Sequence, residues 1–447
     1  MQDRVAHENI AMNKIPLLNE RWHLGSPDIN VCFRIIIEGK FSTDDFEKAI
    51  DAVCKRHPAL NYTIETDAEN NTWFVPDTGR VGLEFYNSKE MPDWQDWYKK
   101  TDDVPFNFRQ GPLVKICVIF DNNQTEIIVL GHHVIGDGIA YLNLSRDILS
   151  ALDNKIDTVP QILPVKTKLK KKTGLSFLAR LYARKLNKEW RKNPAIFSES
   201  DYHTFFEQYR KKYVPQMYME SIKETDLNNI IQKCKSYGLT VNELITAAFA
   251  VAMVELSGHY PNKEIRLGAA ANIRGELIEE TYHCMGNYVS GITANVNYTS
   301  EKAFMTNAQD TAVLLRAQLK VPKNRYLAVN FFNKIDKDLL EAAMYATYGD
   351  YQIPAAKKLG AIIGERSENK GMGMSNLGKY EFDKFANLKV LDLQFIGPAF
   401  PANLLSVGLI TVNNKLNINL RYNETEIKTD IIKKVYERAV ELLLTAQ

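Results

Sequence analysis

The chain has 447 residues, 45% of them hydrophobic and 25% charged, and a net charge of +2 at pH 7. This is globular composition, which excludes a disordered or fibrous chain, and the near balance of charge supplies no global field for nucleic acid. The length exceeds a single hydrophobic core and predicts two or three domains with room for a cleft between them.

Taken in chain order, Met1 to Asn13 is polar, and no apolar run is long enough for a signal sequence or a bilayer span, so secretion and membrane insertion are not expected. Ser42 and Asp45 form a capping box, after which Phe46, Ile50 and Val53 recur at helical spacing until Pro58 ends the helix. Val114 to Phe120 and Glu126 to Leu130 are rich in β-branched and large apolar residues, and Asp121-Asn122-Asn123 between them predicts a hairpin. His132 and His133 follow directly. Ile139, Leu142, Ile148, Leu149 and Leu152 then fit one face of a helix, so the histidines occupy a strand-to-helix connection.

From Lys166 to Lys192 cations dominate: Lys166, Lys168, Lys170, Lys171, Lys172, Arg180, Arg184, Lys185, Lys188, Arg191 and Lys192 stand against Glu189 alone. We read this run as a connector, which divides the chain into an N-terminal lobe at 1–160, a basic connector at 161–205 and a C-terminal lobe at 206–447. Within the connector Leu178, Leu181 or Tyr182, Leu186 and Trp190 line one side of a helix, opposite Arg180, Arg184, Lys188 and Arg191. The second lobe opens with a helix from about Thr225 to Gly238, then a capping box of Thr240 and Glu243 that starts a long apolar helix to Gly258. Strands are predicted at Gly286 to Val296, Val390 to Phe395, Leu405 to Val412 and Leu416 to Tyr422, with Asn413-Asn414 as a hairpin turn. Both lobes therefore mix helix and sheet.

A histidine at a strand end can take a proton from an alcohol or amine near neutral pH, because its ordinary pKa lies near the working pH. Taken singly, the parts of this segment have plainer uses: adjacent histidines can be polar turn residues, Asp137 can cap a helix, and Gly136 and Gly138 can relax the turn. Their combination at fixed offsets is far more specific than any one of them. No GxSxG elbow occurs, and Cys32, Cys54, Cys117, Cys234 and Cys284 form an odd set without a CxxC pair, mostly among apolar neighbours. Such cysteines fit a reducing, cytoplasmic setting. His7, His23, His57, His203, His259 and His283 show no zinc-binding spacing, so no metal is expected. Gly371-Met372-Gly373 lacks the remainder of a phosphate-binding loop and is given no nucleotide role.

The segment His132-His133-Val134-Ile135-Gly136-Asp137-Gly138 resembles the HHxxxDG motif of nonribosomal peptide synthetase condensation domains, chloramphenicol acetyltransferase, polyketide-associated acyltransferases and bacterial wax ester synthases. Arg56-His57-Pro58-Ala59-Leu60 is similar to the RHPxLR-like segment of that family, and Pro105-Phe106-Asn107-Phe108 with Gly111-Pro112-Leu113 is similar to its PFDL and GPL segments. Leu239 to Glu243 and Met285 to Tyr288 resemble a helix start and a strand start in its second half.

The resemblance implies an α/β fold of two chloramphenicol-acetyltransferase-like sandwich lobes arranged as a V, with a tunnel between them. It implies that His133 takes the acceptor's proton, that His132 supports the loop, and that Asp137 with Gly138 shapes the loop through an arginine. Arg274, in Ala271-Asn272-Ile273-Arg274, is the candidate for that arginine. Ser375 and Asn376 stand where some relatives carry an oxyanion donor; the other reading is a turn before Gly378.

The implied activity is transfer of an acyl group from a thioester to an alcohol or amine, which needs no enzyme nucleophile because the thiolate leaves readily. Acyl-CoA is the leading donor and a phosphopantetheinyl thioester on an acyl or peptidyl carrier protein the alternative, with no tightly bound cofactor in either case. The acceptor is a small molecule or a lipid, and nucleic acid is not expected. The chain reads as free of fused carrier or adenylation segments. A binding protein that keeps the fold without turnover is the reading from another class. For the basic connector four uses stay open: a solvated helix packed on one lobe, contact with coenzyme A phosphates, docking of an acidic carrier, or peripheral contact with an anionic membrane.

Overall fold

The computed structural model describes residues 14–77, 81–164, 168–171, 173–349, 351–362, 370–400 and 402–445. The Met1 to Asn13 stretch, and with it His7, lies outside the described residues, as do Lys166 and Lys172 of the basic run.

In the first lobe the Ser42 hydroxyl accepts from the Asp45 amide and the Asp45 carboxylate accepts from the Ser42 amide at 2.8 Å, starting the helix Thr43–Arg56. Its apolar stripe, Phe46, Ala49, Ile50 and Val53, is buried. The hairpin forms from Val114–Asp121 and Gln124–Gly131, with Asn122 at φ 47° supplying the left-handed turn residue. These strands belong to a five-stranded sheet in the order Lys389–Ile396, Val31–Glu38, Gln124–Gly131, Val114–Asp121, Gly82–Asn87. Gln124–Gly131, which delivers the histidines, is the central strand, and Ile127, Ile128, Val129 and Leu130 within it are wholly buried. The helix Gly138–Leu152 packs across this sheet and against Thr43–Arg56.

The second lobe is built on a six-stranded sheet in the order Val289–Asn297, Glu264–Asn272, Gly371–Lys379, Asn403–Val412, Lys415–Asn423, Pro215–Ile222. The capping box of Thr240 and Glu243 opens Val241–Leu256, and that helix is buried along most of its length against Thr429–Thr445 and the sheet. Asn413 and Asn414 both take positive φ, 49° and 58°, in the turn between paired strands.

Four sequence expectations are corrected. The strand Lys389–Ile396 lies inside the 206–447 range yet pairs antiparallel with Val31–Glu38, becoming an edge strand of the first lobe's sheet. The helix Glu199–Lys212, which begins within the connector range, likewise sends Tyr202, Phe205, Phe206 and Tyr209 into the first lobe's core. The chain therefore returns to lobe one, where the added strand satisfies backbone groups that Val31–Glu38 would otherwise expose. In the connector helix Phe177–Trp190 only Ala183, Leu186 and Trp190 are buried, whereas Leu178 is 75% and Leu181 43% exposed. The apolar side read from spacing is thus half unused. Finally, Ser375 and Asn376 lie within the strand Gly371–Lys379, not in a turn.

Candidate active site

The loop that carries the histidines is fixed from below before it presents any side chain. The His132 amide donates to the Leu113 carbonyl at 3.0 Å, so Gly111-Pro112-Leu113 supports the loop start. The Tyr141 hydroxyl donates to the His132 carbonyl at 2.9 Å from one turn into the following helix. Phe106 and Phe108 meet the His132 ring edge-on at 5.6 and 5.1 Å, and His132 Nδ1 accepts from the Val134 amide at 3.2 Å. His132 is consequently a buried aromatic wedge. Burial, together with His133 alongside, lowers its pKa to about 3, so it stays neutral.

Asp137 caps the helix Gly138–Leu152 by accepting from the Ala140 amide at 3.0 Å. The same carboxylate receives both terminal nitrogens of Arg274, at 2.7 and 2.8 Å, and the Tyr288 amide at 2.7 Å. Its acceptor positions are thereby filled. Burial alone would raise this carboxyl, but Arg274 and the amide donors outweigh burial and hold it below the usual carboxylate range. Arg274 is itself 1% exposed, donates to the Thr281 and Gly286 carbonyls, and lies 4.9 Å over the Tyr288 ring. Asp137 belongs to the first lobe and Arg274 to the second, so the pair clamps one lobe to the other. A side chain at Gly138 would press on Leu377 of the second lobe, with its Cβ 3.0 Å from Leu377 Cδ2.

With Asp137 fully engaged, other groups hold His133. The amide nitrogen of Asn287 lies 3.0 Å from His133 Nδ1 and 3.4 Å from the His133 carbonyl oxygen. The ring of His23, from the short helix Asn19–His23, stacks on that of His133 with centroids 4.8 Å apart and planes 15° apart. His133 retains 9% exposure, and among the described residues Nε2 is the ring nitrogen without a protein partner. Burial lowers its pKa, opposed in part by the Asp137 charge and by a hydrogen bond to its own carbonyl. Neither His23 nor Asn287 stands out as a site residue in the sequence. A lone histidine after Trp22 carries no local signal, and Asn287 reads only as part of a strand start.

The structure separates the two expected oxyanion donors. Along Gly371–Lys379 side chains alternate, Met372 and Met374 entering the second lobe's core and Leu377 turning toward Gly138. Ser375 shares the Leu377 side. Asn376 is on the other face, exposed, and bonded to Asn242 at 3.1 Å and to the Gly378 amide at 2.7 Å. Behind the loop, Arg56 and His57 both reach Asp147 of the helix Gly138–Leu152, at 2.7 and 2.8 Å, which gives that segment a bracing role. A cavity of about 30 Å³ adjoins the loop between Val134, Asn287, Tyr288, Leu18, Glu20 and Leu163. A more open groove of about 500 Å³ is lined by Arg184, Asn187, Lys188, Arg191 and Lys192, and neither His132 nor His133 lines it.

Residues 25–167 match the family model of the condensation domain. Among curated proteins the chain is similar to the hybrid PKS-NRPS synthetase buaA of Petromyces alliaceus, 28% identical over 138 residues that make up 29% of this chain and 3% of that protein. It is also similar to a linear gramicidin synthase of Brevibacillus parabrevis, 26% identical over 152 residues, 31% of this chain and 2% of that one. The matched segment thus spans only a few per cent of these relatives.

Among solved structures, trichothecene 15-O-acetyltransferase TRI3 from Fusarium sporotrichioides superposes with a TM-score of 0.66 at 12% identity, covering 96% of this chain and 95% of that one. The first condensation domain of the CDA synthetase gives 0.65 at 10% identity, covering 97% and 96%. The starter condensation domain of rhizomide synthetase RzmA, in complex with C8-CoA, gives 0.61 at 14% identity, covering 98% and 97%. Residues 25–167 thus match the condensation-domain model, and the chain as a whole shares the two-lobed α/β fold of these condensation-domain and acetyltransferase structures.

Proposed function

We propose that this protein transfers an acyl group from a thioester, acyl-CoA in the first instance, to an alcohol or amine, with His133 as general base. The observation that carries the reading is His133 itself: an imidazole held between two lobes, uncharged, with Nε2 unpartnered among the described residues and the neighbouring carboxylate wholly consumed by Arg274. With its proton on Nδ1, the ring leaves Nε2 to accept one from the attacking group. Attack on the thioester carbonyl expels the thiolate directly. Burial pushes the Cys117 and Cys234 thiols up to about 12 and about 11 and raises Cys32 and Cys284 as well, which disfavours a covalent cysteine route. Ser375, on the face of its strand that turns toward Gly138, is the remaining candidate donor to the oxyanion. Coenzyme A as donor draws support from the RzmA structure with C8-CoA, and acyl transfer in general from the acetyltransferase TRI3.

A carrier-bound phosphopantetheinyl thioester is the second reading, favoured by the synthetases that residues 25–167 resemble. The test is thiol release from short to long acyl-CoA donors with pooled alcohols and amines, comparing wild type with His133→Ala. Acceptor-dependent release that falls by about 100-fold in the variant is expected, the usual scale of general-base catalysis. No release with any donor moves the question to carrier-bound thioesters. Equal release from both proteins removes His133 from the chemistry.

A further inference from the structure

We propose that His23 is a positioning residue for His133, acting by stacking on the imidazole and by holding Asn287, so that the base keeps one ring orientation and one tautomer. The inference rests on the general-base reading of His133.

The need for such a residue follows from the geometry of Asp137. Its acceptor positions are taken by Arg274 and the amides of Ala140 and Tyr288, so it has none left to orient an imidazole. Asn287 meets the Nδ1 edge of His133 instead, and a side-chain amide can rotate unless both its ends are fixed. Its oxygen accepts from the Val289 amide at 3.3 Å, which turns the nitrogen toward the histidines. His23 Nε2 lies 2.6 Å from that nitrogen and takes one of its two hydrogens. The second hydrogen is thereby aimed at the edge of His133 that carries Nδ1 and the carbonyl oxygen, 3.0 and 3.4 Å away.

This arrangement requires a neutral His23. The ring is buried, only 6% exposed, and faces His133 and His132, with no carboxylate against it among the described residues; burial lowers its pKa well below the ordinary histidine value. The short helix that carries it is anchored on both sides. Arg21 Nε donates to Glu341 at 2.8 Å, and Trp22 Nε1 reaches Met344 Sδ at 2.8 Å while its ring packs on Phe332 and Phe400. His23 is thus held through Arg21 and Trp22 by the helix Lys337–Tyr348, whose Met344, Tyr345 and Tyr348 pack in the first lobe's core cluster, and passes that rigidity to His133.

Two variants divide the roles: His23→Leu removes both the stack and the acceptor, and His23→Gln keeps an acceptor for Asn287. Thiol release from acyl-CoA is expected to show kcat reduced about 100-fold in His23→Leu, the scale for a small misplacement of a reacting group, with KM little changed and kcat partly restored in His23→Gln. Nitrogen-15 NMR of the imidazole rings supplies a readout that loss of stability would not imitate. His133 should hold a single tautomer in wild type and a mixture of both in folded His23→Leu. Should that variant not fold, the wild-type tautomer and the His23→Gln spectrum decide the matter alone. A folded His23→Leu with wild-type kcat, or a His133 tautomer indifferent to both substitutions, overturns the proposal. Full activity in His133→Ala would instead overturn the base reading, and the spectra would still report whether His23 holds the ring.

Discussion

Replacing Arg274 by Met tests whether the interlobe clamp is structural in origin. Its guanidinium makes two bonds of 2.7 and 2.8 Å to Asp137, and the two side chains are 0% and 4% exposed, so solvent screening gives little discount. Removing one partner of a buried ion pair strands the other charge, at a cost of about 3–5 kcal/mol. Asp137 would keep the Ala140 and Tyr288 amides, which places the expected loss toward the lower end of that range. Urea unfolding followed by tryptophan fluorescence measures it, with Asp137→Asn and the double variant completing a cycle. The double variant should recover much of the loss, because no stranded charge remains. The pH dependence gives an independent check. In wild type the Asp137 carboxyl is held low, so its contribution is complete above the unfolded value near 3.8 and is lost as pH falls through the folded one. In Arg274→Met burial has no cation to oppose it, the carboxyl rises, and protonation on acidification should narrow the gap to wild type. A loss below about 1 kcal/mol, the size of an exposed pair, would refute the reasoning.

Acid should unfold the protein through its histidines before its carboxylates. Burial lowers the pKa of His132, His133 and His23, so the unfolded chain binds protons below about 6.5 that the folded one refuses. Stability is then flat above that pH and falls below it by about 1.4 kcal/mol per pH unit for each histidine, which urea titrations at pH 7.5, about 6 and about 5 would show; equal midpoints at all three would contradict it. At Gly131 an added Cβ would lie about 2 Å from the Tyr141 hydroxyl that supports the His132 carbonyl. Gly131→Ala should therefore destabilise by about 1–3 kcal/mol and depress thiol release, and Tyr141→Leu in the same chain should restore folding without restoring full activity.

Local chemistry is legible in the sequence and long-range pairing is not. Ser42 with Asp45 and Thr240 with Glu243 are helix starts whose cause lies within four residues, and both form. The Asn122 and Asn413-Asn414 turns are equally local. The strand Lys389–Ile396 can be read as a strand, but its place beside Val31–Glu38 depends on a partner more than 350 residues away. Gly371 and Gly373 have the local composition of a loop and are strand residues. A Cβ at Gly371 would lie 2.1 Å from the Arg266 carbonyl, and one at Gly373 2.2 Å from the Asn403 amide, so the glycines answer crowding between strands. The histidine loop shows itself through a fixed pattern of offsets, whereas His23 and Asn287 meet His133 from sequence separations of 110 and 154. No periodicity reports contacts of that range.

The division of labour at the site bears on how it works. His133 and Asp137 are carried by the first lobe, but Arg274, Gly286, Asn287 and Tyr288, which fix them, all come from the second. His23 belongs to the first segment of the chain and is braced by Glu341 and Met344 of the helix Lys337–Tyr348 through Arg21 and Trp22. Asn287 thus meets His133, and Arg274 meets Asp137, only where the lobes are docked. A relative movement of an ångström would lengthen bonds to Asp137 that are now 2.7–2.8 Å and would draw Asn287 away from His133. Misplacement on that scale can remove about 100-fold of rate, so on the proposed general-base reading of His133 lobe docking and activity are coupled by geometry. Any ligand that wedges the lobes apart should inhibit without touching His133, and any that bridges Asn287 and the histidine loop should raise stability and fix the base together.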